Sequence, residues 1–128
     1  MSTGSAAGEH LDALFAAIDR KDTEGFVGFL TDDAVLRFGS SPPVAGRDRI
    51  RELVNGFFDA VRALSHVVRY TTEGDGRLIC EGEVTYERHD GSEITLPFAN
   101  VMELASGGER RIRHYKVYAD YGPLFAGG

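Results

Sequence analysis

The second half of the chain constrains the fold most. Residues 64–72 are rich in β-branched and aromatic side chains, and Asp75-Gly76 then supplies a tight-turn signal. Residues 77–89 repeat the pattern and close on Asp90-Gly91. Residues 94–105 follow, then the turn Ser106-Gly107-Gly108, then residues 110–121. Four long strands joined by short turns pair with their neighbours in antiparallel fashion, so this half predicts a meander.

Such a sheet needs cover for one face, and the first half supplies helices. Leu11, Leu14, Phe15 and Ile18 recur at one-face helical spacing from Glu9 onward. Asp22 is placed to cap a short second helix carrying Phe26, Phe29 and Leu30. Thr31-Asp32-Asp33 breaks it, residues 34–38 read as a strand, and residues 39–46, with Pro42 and Pro43, read as a loop. A third helix carries Ile50, Leu53, Val54, Phe57, Phe58 and Val61 on one side, and Arg47, Arg51, Glu52, Asp59 and Arg62 on the other. The order α-α-β-α-β-β-β-β predicts an α+β fold: a curved, mainly antiparallel sheet wrapped around three N-terminal helices, a cone with a central pocket. Residues 1–8 are small and polar and read as a disordered tail, leaving 9–128 as one domain.

Composition narrows the partners. The 128 residues carry a net charge of -6, with basic side chains scattered among acidic ones, which disfavours nucleic acid and anionic membrane surfaces. A 42 % hydrophobic fraction with eight Phe and five Tyr is enough for a core. The single Cys80 permits no intrachain disulfide, and no leader or membrane-spanning run is visible, so a cytoplasmic location is expected. His10, His66, His89 and His114 form no ligand pair on a helix face, and no glycine-rich phosphate loop appears. No metal and no cofactor is expected.

The segments Leu30-Thr31-Asp32-Asp33-Ala34-Val35, Pro42-Pro43-Val44-Ala45-Gly46-Arg47-Asp48 and Leu96-Pro97-Phe98-Ala99-Asn100-Val101 resemble the SnoaL-like family over about residues 9–122. That family belongs to the nuclear transport factor two-like superfamily, with ketosteroid isomerases, limonene epoxide hydrolases and polyketide cyclases. The resemblance implies the cone fold and pairing of two copies through the outer sheet face. It also implies a pocket for a small hydrophobic molecule, and places Leu14, Phe38 and Val117 at its wall, where relatives keep catalytic side chains. The oxyanion position of the isomerases falls on Asn100. The acid/base aspartate of the SnoaL-type cyclases matches Asp120, in Tyr118-Ala119-Asp120-Tyr121.

The residues themselves suggest where chemistry could lie. On one strand Leu96, Phe98, Asn100, Met102 and Leu104 share a parity that is apolar except at its centre. Asn100 is therefore either a hydrogen-bonded core residue or a polar group facing a ligand. On the last strand, the parity of Tyr115 and Val117 suits a cavity wall better than that of His114, Lys116 and Asp120. That choice turns Asp120 outward and counts against it as a catalyst. His66 can be a structural residue or an acid/base near neutrality. Glu81, Glu83 and Glu87 read as a solvated edge, with Glu83 as the alternative general base. The functional expectation is a binder of a small hydrophobic, carbonyl-bearing molecule, with Asn100, Tyr115 and Phe98 at the ligand and His66, Glu83 or Asp120 moving a proton. A non-catalytic binding or dimerisation module is the alternative. Two carboxylates, or a His–carboxylate pair, lining the cavity together would favour the enzyme.

Overall fold

Helix α1 (Ala6–Asp19) turns its apolar stripe inward, burying Leu11, Leu14 and Phe15 with Ala17. The structure, a computed structural model, describes residues 6–107 and 110–126. The helix is thus under way by Ala6, and the rest of the expected tail, 1–5, lies outside the described residues. Helix α2 (Thr23–Val27) starts on Asp22, whose carboxylate accepts from the Gly25 amide at 2.9 Å. It ends earlier than its apolar spacing suggests, because Leu30 enters strand β1 (Leu30–Phe38) instead. The exposed Asp32 and Asp33 lie in the stretch where the register of β1 shifts between Leu30 and Val35.

The loop predicted at 39–46 contains a short strand, β2 (Val44–Ala45), which pairs with β1. Two residues are too few for a strand pattern to show. Helix α3 (Arg47–Ala60) buries Ile50, Val54 and Phe58, while Leu53 faces outward. The meander then runs through β3 (Ala63–Gly74), β4 (Arg77–Glu87), β5 (Glu93–Leu104) and β6 (Ile112–Tyr118). A short helix α4 (Gly122–Ala126), not predicted from the sequence, follows.

One six-stranded sheet results, in the order β2-β1-β6-β5-β4-β3, curved and unclosed. Every neighbouring pair is antiparallel except β1 with β6, which run parallel. Leu78, Cys80, Val84 and Tyr86 on β4 face the same interior as Leu96, Phe98, Asn100 and Met102 on β5. Pairing shifts register at two further places. Pairing of β3 with β4 shifts between Val68 and Tyr70, and pairing of β5 with β6 shifts at Glu103 and Leu104. The second lets Ile112 point inward although it has the parity of His114 and Lys116. No helix among the described residues is long and apolar enough to cross a membrane.

Candidate functional site

Where the inner faces of the sheet meet α1, α2 and α3, a narrow cavity of about 60 Å³ remains. Its wall is mostly aromatic and aliphatic, with Phe26, Phe38, Phe57, Phe98 and Val117 among the lining side chains. Phe57 is the hub of one side: Phe38 stacks on it at 5.9 Å, while the rings of Tyr86 and Tyr121 meet it edge-on. Five polar side chains share this wall: His66, Tyr86, Asn100, Tyr115 and Tyr121.

His66 is held by a residue from another element. Asp19, the last residue of α1, approaches the histidine Nδ1 at 2.6 Å and accepts from its backbone amide at 3.0 Å. The partners lie forty-seven residues apart in the chain. An ionised carboxylate can only accept, so Nδ1 carries the proton and Nε2 is the nitrogen left to take one. Phe15 stacks against the ring at 4.6 Å and Phe98 meets its edge at 5.3 Å, which leaves the imidazole little rotational freedom.

Asn100 is 2 % exposed. Its Nδ2 donates to the Tyr115 hydroxyl at 3.0 Å, while its Oδ1 is buried with no hydrogen-bond partner among the described residues. An unmet buried acceptor costs about 1–3 kcal/mol. Burial pushes the Tyr115 hydroxyl well above the ordinary tyrosine value, against the opposing hydrogen bond from Asn100. Burial likewise raises Tyr86 and Tyr121, whose rings meet edge to face at 6.3 Å. All three therefore keep their protons at neutral pH and act as donors. Burial also pushes the Cys80 thiol up to about 12, so it is no nucleophile at neutral pH.

Of the residues singled out from sequence, His66, Asn100, Tyr115, Phe98, Phe38 and Val117 come together at this wall. Three do not. Asp120 is exposed, and its carboxylate accepts from the Gly122 amide at 3.0 Å, at the start of α4. Glu83 lies on the outer face of β4, bound to Arg69 at 2.8 Å, because alternation along the strand turns it away from Val84. Leu14 is fully buried in the core, outside the cavity lining.

Sequence reasoning missed Asp19, Tyr86 and Tyr121. Tyr86 shares the inward parity of Leu78, Cys80 and Val84, so alternation could have found it. Nothing local marks Asp19, whose role exists only once α1 meets β3. Among the described residues no three His, Cys, Asp or Glu side chains gather to hold a metal ion.

The SnoaL-like domain matches residues 11–115, most of the chain, and the protein belongs to the SnoaL-like family. Solved structures share the fold at low identity. TerC, co-crystallised with polyporic acid, superposes with a TM-score of 0.79 at 16 % identity, over 95 % of this chain and 97 % of its own. A protein of unknown function from Burkholderia pseudomallei, similar to nuclear transport factor two, reaches 0.82 at 15 % identity, covering 95 % and 96 %. A ketosteroid isomerase-like fold from Catenulispora acidiphila, in complex with trimethylamine, reaches 0.81 at 12 %, covering 92 % and 90 %. No curated protein matches the chain in sequence.

Proposed function

We propose that the cone binds a small hydrophobic, carbonyl-bearing molecule and moves a proton at the carbon beside its carbonyl. One observation carries this reading: a histidine oriented by a carboxylate shares an apolar cavity wall with a buried, half-satisfied asparagine. His66 is the base, with Nε2 receiving the proton, and Asp19 is the positioning residue that fixes its tautomer. The negative charge that develops on the carbonyl oxygen is met by the Tyr115 hydroxyl, itself polarised by the amide of Asn100. A neutral donor aimed where charge develops, in a dry apolar site, favours the enolate over the ketone. That TerC, of the same fold, was co-crystallised with an organic molecule agrees with a ligand in the cone.

The cavity volume sets a size limit. A cavity that accepts benzene has about 150 Å³, so even one ring requires side chains such as Phe57 or Tyr121 to move. Fused polycyclic substrates fit this form poorly. The same tightness favours the second reading, a binding module without turnover. Acetophenone in heavy water separates the two. Exchange of its methyl protons, followed by NMR, should be catalysed by the protein and fall about 100-fold in His66→Gln. Exchange that is equally fast in the variant would falsify the proton-transfer role, and binding without any exchange would favour the second reading.

A further inference from the structure

We infer that the molecule held in the cone carries a hydroxyl on the carbon next to its carbonyl, an α-hydroxy ketone or aldehyde. The inference rests on the cavity being the ligand site, as proposed above, and comes from counting what Asn100 and Tyr115 leave unpaired. The Asn100 amide nitrogen donates to the Tyr115 oxygen, so the tyrosine proton is free to be given elsewhere. The Asn100 Oδ1, in a side chain 98 % buried by its 2 % exposure, still needs a donor. The pair thus offers one donor and one acceptor side by side on the cavity wall. Turning the amide over changes which residue plays which part: Nδ2 then donates into the cavity, and the Tyr115 oxygen accepts there. The complement demanded of the ligand is the same in both arrangements.

A plain ketone meets only half of this demand, because its oxygen accepts and has nothing to give. Its binding leaves the buried acceptor unmet, which is the condition that lets a polar site reject an analogue strongly. A carbonyl oxygen and a neighbouring hydroxyl satisfy both halves together. Two vicinal oxygens carry the acceptor and the donor together on adjacent atoms of one small ligand. The hydroxyl-bearing carbon is also the one that loses its proton. The C–H bond breaks, its electron pair forms the C=C bond of an enediolate, and the proton goes to His66. No oxidant or co-reactant is needed: return of the proton to the same carbon regenerates the starting compound, whereas its return to the former carbonyl carbon, with the hydroxyl proton passing to the other oxygen, gives the isomeric hydroxycarbonyl compound.

The test is a matched series measured on the unmodified protein by calorimetry or NMR titration: α-hydroxyacetophenone, α-methoxyacetophenone, acetophenone and phenethyl alcohol. The hydroxy ketone should bind at least tenfold more tightly than each of the others, which lack the donor proton, the hydroxyl or the carbonyl. In Asn100→Leu the advantage over acetophenone should shrink to about one. In Tyr115→Phe the advantage over phenethyl alcohol should shrink instead. Equal binding of the hydroxy and methoxy ketones by the unmodified protein overturns the inference, whatever the variants do. The outcomes stay separable from those of the proposed function. If acetophenone exchanges through His66 but the hydroxyl adds nothing, the proton-transfer reading survives and this inference falls. If the hydroxyl preference is present while exchange ignores His66, the reverse holds. Binding of none of the four overturns both.

Discussion

At the scale of single residues, the molecule keeps its polar groups at the cavity under tight control. Asp19 lies outside the cavity lining, so in the proposed function its effect passes through His66. Asp19→Asn should lower acetophenone exchange by tenfold or more while leaving acetophenone affinity unchanged, a split that loss of folding could not produce. The ring ¹⁵N signals of His66 should at the same time lose their single-tautomer pattern. Cys80 gives a second residue-scale expectation. With its thiol raised to about 12 by burial, the folded protein should resist alkylation at pH 8 and react only on unfolding. Asn100 was legible in the sequence because one polar side chain interrupts an apolar parity. His66 was visible only as a candidate, since the carboxylate that gives it a role arrives from the far end of another helix. Asp120 misled because a family position was matched where the strand had already ended at Tyr118.

At the scale of elements, two features set the shape of the cavity, and each can be tested. Gly82 lies on β4 opposite Val68, next to the register shift in β3, and a Cβ there would come within 1.9 Å of the Val67 carbonyl oxygen. Only glycine permits that approach. Gly82→Ala should therefore lose at least about 2 kcal/mol of stability, measured as a lower urea midpoint. The second feature is α4, which follows the cavity-lining Tyr121 and buries its Leu124. Arg88 on the turn after β4 donates to the carbonyls of Leu124 and Pro123 at 3.1 and 3.0 Å. Arg88→Ala should raise amide exchange at Gly122 and Leu124 and speed acetophenone association, with the sheet unaffected. An unchanged association rate would mean that α4 does not limit access. The meander was readable because its turns carry Asp-Gly and Gly-rich signals between long alternating strands. Neither β2 nor α4 has enough residues to display a period, and only tertiary pairing defines them.

At the scale of the whole molecule, buried hydroxyls and one buried thiol tie stability to pH. The folded values of Tyr86, Tyr115, Tyr121 and Cys80 all lie above their ordinary values, 10.0 for tyrosine and 9.0 for cysteine. The unfolded chain therefore loses these protons first, and stability present at neutral pH should decline as the pH rises past about 9. Urea midpoints at about pH 7, 9 and 10.5 check this, and equal midpoints would contradict the burial. We also propose that two copies pair through the outer sheet face, where Tyr70 is 70 % and Tyr118 51 % exposed. Glu81 and Ala99 bridge these tyrosines across one row of the sheet, and Ile79 and Val101 occupy the next. Light scattering at micromolar concentration should give twice the chain mass, falling to one chain in Ile79→Glu. The parallel pairing of β1 with β6 has a consequence of another kind. During synthesis β3, β4 and β5 can pair as each emerges, but Leu30 must wait for Ile112 before β1 has its partner. Until then the apolar side of β1 and the helices beside it have an incomplete wall to close on, and the half-made chain is sticky. Variants that slow the final closure should thus show up first as poor yield in the cell, before any loss appears in the purified protein.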